Sequence, residues 1–455
     1  MSISANKKAM LRTVLLLAWP TVVELALQTL VQYVDTAMVG HIGASASAAV
    51  GLTTTTMWLI SAPFSAMGTG VLSTIAKAVG AKDTERVRSA AGQAVLLCLI
   101  VGISITAVAL GAAPFLPGWL GADAQIRSEA FLYFFVINIP LLLRGLTIIL
   151  GAALRAAGDT KTPLLVNATV NLVNIVFNYL LIGSPVTVLG LYIPRAGLGV
   201  LGAAIATALS FAVGGVLMLH ALYRHQLLSP RGKPQLDKPV MRDCVSVGLP
   251  VMATRLFVFS GQVVFTSLVS RLGTLALAAH SIALTAEQAF YVPGFGIQTA
   301  ASALSGQSIG AQNEKALDHV TVLTTTIASA AMGLMAVFLF FWPEAVMRIF
   351  TQDPAVIAMG AVILRIVAVS EPLYAVAIIL EGVFNGAGDT KIPFLFSTGC
   401  MWGIRILFTY ICTVHFGLGL AAVWGCMVAD NCVRCLLLLI RVLRGRWKRR
   451  YFGEE

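Results

Sequence analysis

Charge is scarce in this chain. Only 11% of its 455 residues are charged, where a soluble globular protein carries roughly 25%. The shortage excludes a large aqueous enzyme, and the 58% hydrophobic content excludes a disordered or fibrous chain. Cysteine is also thin. The seven Cys lie mostly inside apolar runs without paired spacing, so no disulfide framework is indicated. Cys432 and Cys435 form a CxxC, but with no second pair and no nearby His they read as helix packing. There is no HExxH, no GxSxG and no cluster of metal ligands, and the helical Ser and Thr lack His/Asp partners. An enzyme is therefore disfavoured, and no cofactor is expected. The charge that exists is lopsided, 31 Lys+Arg against 20 Asp+Glu, or +11. These basic residues sit in loops between apolar runs, as topology signals or contacts for anionic lipid. No separate soluble domain is left to hold a nucleic acid.

What remains is apolar sequence, with a mean hydropathy of +0.87. At about 20 residues per crossing, the runs 11–38, 46–76, 89–113, 128–154, 162–183, 198–222, 241–269, 275–307, 319–341, 355–384, 393–414 and 418–441 read as twelve spans. The first run, Leu11 to Val39, is too long for a signal-peptide core and holds Glu24 and Asp35, so it reads as a retained helix. With the amino terminus on one side, that side carries 22 Lys and Arg, from Lys7 to Arg450. The other carries 4: Arg127, Arg195, Arg271 and Arg348. Both termini are expected in the cytoplasm.

The chain repeats itself at an offset of 230 residues. AAGDTKTP (Ala156 to Pro163) returns as GAGDTKIP (Gly386 to Pro393), and AVGAKD (Ala78 to Asp83) as SIGAQN (Ser308 to Asn313). Pro20 matches Pro250, Gly43 matches Gly273, and Pro63 matches Pro293. Each half holds six spans, an even number, so both enter the membrane in the same direction. The expected fold is an all-α membrane protein of twelve transmembrane helices in two six-helix lobes, related by a pseudo-two-fold axis along the membrane normal. The lobes are 1–222 and 241–441, joined by a Pro-rich, basic cytoplasmic linker at 223–240 and followed by a basic cytoplasmic tail at 442–455. The duplicated GDTK segments are not Walker loops, which need GxxxxGK[ST]. They read as tight helical hairpins: Gly158 ends one helix, Asp159 or Thr160 caps the next, and Pro163 lies in its first turn.

Ionisable groups inside membrane spans are costly and become functional candidates. The acids are Glu24, Asp35, Glu287, Glu371, Glu381 and Asp430; the bases are Arg144, Arg255, Arg365, Arg405 and Arg434. Asp430 and Arg434, one turn apart, are expected to pair. Glu381 can reach the interface, and His280 reads as a packing residue. Arg144, Arg365 and Arg405 have no partner assignable from sequence. Asn167, Asn171, Asn174 and Asn178 are spaced 4, 3 and 4 apart. At about 100° per residue they fall within about 60° of one helix face. Such a stripe cannot face lipid; it is either helix-to-helix glue or the wall of a wet cavity. Gln28, Gln32 and Asp35 share a face of the first span, and two polar faces in one half suggest a common cavity. Asp35 is the group there that can exchange a proton or hold a cation.

These residues resemble the MATE (multidrug and toxic compound extrusion) family of secondary transporters over essentially the whole chain. The segments that carry the resemblance are AWPTVVELALQTLVQYVDTAMVGHIG, the duplicated GDTK loops, NLVNIVFNYLLIG and GFGIQTAASALSGQSIGAQN. The resemblance implies two six-helix lobes around a cleft, with efflux of drug-like, cationic small molecules driven by inward H+ or Na+. It gives Asp35 the cation-coupling carboxylate, with Asn174, Asn178 and Thr207 as further ligand positions. Gln28, Gln32, Asn171 and Glu287 are placed along the substrate cleft, and Pro20 is a bending point. Two departures favour H+. Some relatives carry Asp where Asn178 stands, which weakens a Na+ site here. Their acids in spans seven and ten are absent, with Arg255 in span seven and Glu371 one turn from the matching Tyr374; Glu287 would replace them or neutralise Arg255.

The protein is expected in a plasma (bacterial or archaeal inner) membrane, as a monomer in contact with lipid. A flippase of lipid-linked oligosaccharide from the same superfamily is the closest alternative. Such proteins tend to have more spans. A membrane receptor or structural protein belongs to another class, disfavoured by the buried polar stripe.

Overall fold

The computed structural model describes residues 7–183, 186–188, 191–193, 195–230 and 235–453. Arg231 and Lys233 of the expected linker lie outside them. Among the described residues nearly everything is helix: α1 (Lys7–Gly40), α2 (Ala44–Gly80), α3 (Thr84–Ala112), α4 (Leu116–Trp119), α5 (Ala124–Asn138), α6 (Leu141–Ala156) and α7 (Lys161–Ile182). A small antiparallel hairpin follows, β1 (Val186–Val188) on β2 (Leu191–Ile193). Then come α8 (Gly199–Arg224), α9 (Lys238–Ser270), α10 (Thr274–Phe290), α11 (Val292–Gly310), α12 (Glu314–Phe341), α13 (Pro343–Arg348), α14 (Pro354–Ala368) and α15 (Glu371–Ala387). The next run is α16 (Lys391–Cys400), continued through π-helical turns at Met401–Ile406 and Ile411–His415 around α17 (Leu407–Tyr410). Last are α18 (Leu420–Arg444) and α19 (Arg449–Phe452).

Each of the twelve expected spans coincides with a helical run, and the chain is an all-α membrane protein. Among the described residues, eight helices are each long and apolar enough to cross a membrane, or up to ten spans if each bent pair counts as one. In hydrocarbon the helix satisfies its own backbone, which is why apolar runs of this length take that form. Three spans read as continuous are broken. α5 and α6 meet at 50° and α14 and α15 at 57°. The breaks fall at Ile139–Pro140 and Val369–Ser370, again 230 residues apart. Proline lacks the N–H that would continue the helix, and Pro140 and Pro372 stand beside these bends. The span expected at 275–307 is interrupted at Tyr291, just before Pro293. Pro63, its repeat partner, sits inside unbroken α2.

The turns repeat as well. Lys82 and Gln312 both adopt positive φ, 57° and 52°, and each is followed by a capping residue. Asp83 accepts from the Arg86 amide and Asn313 from that of Ala316. In the GDTK hairpins Gly158 and Gly388 take positive φ, 92° and 75°. Of the two capping candidates, Asp159 makes the bonds, accepting from the amide and hydroxyl of Thr162 at 3.0 and 2.6 Å.

The chain falls into two compact units. The first comprises Val23–Ile75 and Asp83–Gly248, and so contains the linker region. There Arg86 pairs with Asp243 at 2.7 Å, Ser89 donates to Asp237 at 2.6 Å and Gln93 donates to the Gln235 carbonyl at 2.7 Å. The second unit comprises Leu249–Glu455, Ala76–Lys82 and the chain up to Val22. Its core gathers Met10, Val14 and Leu17 with Ile297, Leu304, Val320, Phe384 and Leu438. Here the ends of α2 and α11 touch backbone to backbone. A Cβ on Gly80 would lie 2.0 Å from the Gln307 carbonyl oxygen, and one on Gly310 would lie 1.9 Å from that of Lys77. These are repeat partners in reciprocal contact. The tail docks on the same unit. Trp447 packs on Phe384 with ring centres 5.0 Å apart, Lys448 bonds Glu314 and Asp318, and Lys77 stacks over Tyr451. Burial pushes the Tyr451 hydroxyl up to about 12, so the ring under Lys77 stays neutral.

Candidate functional site

In the first unit the asparagine stripe of α7 serves the two acids of α1. Asn167 Nδ2 donates to Glu24 Oε1 at 2.9 Å, and Asn178 Nδ2 donates to Asp35 Oδ1 at 2.7 Å. Both pairs are 143 residues apart. A constant separation means that α1 and α7 run parallel and in register. A stripe of carboxamides within about 60° of one face meets acids three turns apart on the other helix.

The two acids are treated differently. Glu24 is buried and is also bonded by Arg155 Nη1, 3.3 Å from each carboxylate oxygen. Asp35 makes no ion pair among the described residues; its ligands are neutral amides. Oriented to satisfy an ionised Asp35, the Asn174 amide donates to its two oxygens at 2.7 and 3.2 Å and accepts from Thr207 Oγ1 at 3.3 Å. Asn174 and Asn178 are buried and Thr207 half-buried. Tyr133 stands in the electrostatic field of both Asp35 and Arg144. Arg144 stacks over the Phe211 ring at 4.7 Å.

The structure thus brings together Asp35, Asn174, Asn178 and Thr207. Asn171 lies on the same stripe with its amide nitrogen unbonded. Gln28 and Gln32 are exposed on α1 and stand outside this hydrogen-bond network. Pro20 interrupts the backbone bonding of α1 one turn before Glu24. Glu287 belongs to the second unit, where it is 2% exposed and accepts from the Tyr291 hydroxyl. The pairing of Glu24 with Arg155 and Asn167 is what the sequence reading missed. The equal spacing of the acids and the outer asparagines was its signal.

Several partners differ from expectation. Arg405 was without an assignable partner; it reaches Asp430 at 2.7 Å and turns the expected Asp430–Arg434 pair into a triad. Arg365 pairs with Glu344 at 2.7 Å. The expected alternative that Glu287 neutralises Arg255 is not found: among the described residues no ion pair joins the two, and the carboxylate whose charge acts on Arg255 is Glu381. His280 is fully buried, accepts from Trp424 Nε1 at 3.1 Å and packs between the Phe265 and Trp424 rings. Among the described residues no three His, Cys, Asp or Glu side chains are grouped to hold a metal.

A helical membrane protein with duplicated halves and a carboxylate held by amides in its first span has the form of a secondary transporter. The MatE family model matches residues 20–180 and again 250–411, so the chain belongs to that family and is a transporter, not an enzyme. The two matches begin 230 residues apart, the offset of the internal repeat. Among its relatives is a probable multidrug resistance protein NorM of Thermotoga maritima, 30% identical over 446 residues, covering 95% of this chain and 92% of the other. The multidrug resistance protein NorM of Burkholderia vietnamiensis is 29% identical over 430 residues, with 91% and 89% covered. Among solved structures, an outward-facing multidrug resistance MATE family transporter of the MOP superfamily superposes with a TM-score of 0.89 at 24% identity, covering 98% and 97%. A MOP superfamily transporter from Pyrococcus furiosus gives 0.88 at 24% identity, covering 97% and 96%. At that identity the structures speak for the fold.

Proposed function

We propose that this protein exports small, drug-like organic cations across a plasma membrane in exchange for inward H+, with Asp35 as the coupling carboxyl. The observation that carries the reading is that Asp35 is held by neutral amides and, among the described residues, by no fixed cation. The names of the relatives, multidrug resistance proteins, support the substrate class. The excess of basic residues on one side supports cytoplasmic termini.

The proposed cycle follows from hydrogen-bond chemistry. An ionised carboxylate only accepts, so Asn174 and Asn178 both offer NH2. A proton on Asp35 makes it a donor, and the Asn174 amide then turns its oxygen toward it. That turn changes what Thr207 can bond to, and it links a proton on α1 to α8. Protonation also removes the negative charge that attracts a cationic substrate, so the two states differ in affinity, as a driven exchange requires. Pro20 gives α1 a place to bend as its bonding changes.

In proteoliposomes with an imposed proton gradient, Asp35→Asn is expected to cut export of a cationic dye about tenfold or more, because the charge difference between states is lost. Export at the normal rate would sink the assignment. Na+ is the second reading, since Asn174, Asn178 and Thr207 add oxygens beside Asp35. Asn178→Asp adds a second carboxylate and is expected to let a Na+ gradient drive export; an unchanged ion preference counts against this account of selectivity.

A further inference from the structure

Arg255 stands in the middle of its span. α9 runs from Lys238 to Ser270, and the apolar run 241–269 puts fourteen residues on either side of this arginine. Half of a hydrocarbon core is about 15 Å thick, too far for a guanidinium to snorkel to either surface. Arg255 is nevertheless exposed, and among the described residues it makes no hydrogen bond and no ion pair. Glu381, whose charge acts on it, is half-buried on α15, and no ion pair joins the two.

A charged side chain at this depth faces water or a partner inside the protein rather than lipid. At about 100° per residue, Gln262 and Thr266 fall within about 20° of Arg255 around α9. Both are half-buried, and neither side chain makes a hydrogen bond among the described residues. Phe259, one turn beyond Arg255, is half-buried close to the same face. The exposed apolar residues Leu249, Leu256 and Val263 fall about 100° away, so lipid has a side of its own. The internal repeat marks the same face. Gln262 corresponds to Gln32 and Thr266 to Thr36, both exposed on α1. The face is therefore polar in both halves, and the second half adds a fixed cation, since Arg255 corresponds to Leu25.

We propose that Arg255 is a recognition residue for a carboxylate of the exported compound, with Phe259 and Gln262 beside the rest of its body. A guanidinium presents paired N–H donors in one plane, which match the two oxygens of a carboxylate. Phe259 offers a ring to an aromatic compound, and Gln262 both donates and accepts. An uncompensated guanidinium also repels a simple cation, so it selects against compounds that lack an acidic group. The inference rests on the export reading above and narrows it, from organic cations to those that also carry a carboxylate.

The test is equilibrium binding of two dyes to the full-length protein in lipid nanodiscs, read by fluorescence anisotropy with no ion gradient. One dye is the free-acid rhodamine with two primary amino groups, and the other is its methyl ester. The acid is expected to bind about tenfold more tightly than the ester. Arg255→Leu, which matches the residue found at the repeat position, is expected to abolish that preference without weakening the ester. Arg255→Lys keeps the charge without the planar donor pair and is expected to retain part of the preference. No preference in the wild type, or one that survives Arg255→Leu, overturns the proposal. If Arg255→Leu binds neither dye, Arg255→Gln decides: the ester bound without preference for the acid supports the site. A retained preference there, or loss of both dyes again, overturns it and makes Arg255 structural. Ester binding with no preference for the acid in the wild type sinks this inference and leaves the export reading standing. Normal export by Asp35→Asn would sink the coupling assignment and leave the dye preference untouched.

Discussion

Glu24 and Asp35 sit on one helix and bond to one neighbouring helix, yet only Glu24 has an arginine. Removing one partner of a buried ion pair leaves the other charge uncompensated, which costs about 3 kcal/mol or more. Arg155→Ala should therefore lower the thermal unfolding midpoint in detergent more than Glu24→Gln does. In the second variant an amide still reaches Asn167, and Arg155 has a long stem that can carry its charge toward water. Equal losses would mean that the ion pair is not what holds this end of α1. Every residue of the site was visible in the sequence as a polar group in an apolar run. Sequence could not show which acid would be neutralised in place. Arg155 reads there as a loop residue beside the GDTK hairpin, and only the fold brings it back to Glu24.

At the scale of elements, α2 and α11 meet through glycines from equivalent positions. Gly310→Ala puts a methyl within 1.9 Å of a backbone oxygen that cannot swing away as a side chain would. The helices must part, at a cost of about 2 kcal/mol. Gly80→Ala should act alike, while Gly399→Ala, with nothing within 4 Å of the new methyl, should leave the unfolding midpoint where it was. Similar melting of all three would show that the contact is looser than described. Turns and caps were legible, because Asp83, Asn313, Gly158 and Gly388 do what those residue types do locally. The break at Tyr291 was not. Pro63 and Pro293 share a position in the repeat, yet α2 runs unbroken and α10–α11 is interrupted at Tyr291. Proline permits a break, and packing decides whether it occurs. The π-helical turns at Met401–Ile406 and Ile411–His415 likewise have no local sequence signal; the counterpart of the first, residues 171–176 of α7, is regular helix.

For the whole molecule, the twelve runs, the repeat and the membrane setting followed from hydropathy and the 230-residue offset, because lipid leaves the backbone few options. The allocation of the α1 start and of residues 76–82 to the second unit did not follow, since chain order carries no such information. The functional reading makes its own demand at this scale. In vesicles a pH gradient alone should drive dye export, a Na+ gradient alone should not, and dissipating the pH gradient should stop transport. Export sustained by Na+ alone would reverse the ion assignment.

The matched spacing on α1 and α7 limits how they can come apart. The two fastenings lie about 16 Å apart along the axis, at about 1.5 Å per residue. One joins Glu24 to a cation, Arg155, and the other joins Asp35 to neutral amides. Sliding by a single residue would undo both at once, whereas in the proposed exchange a proton on Asp35 rearranges the far fastening alone. Any motion that such a proton sets off along this seam would start at the Asp35 end, with Glu24 as the fixed point.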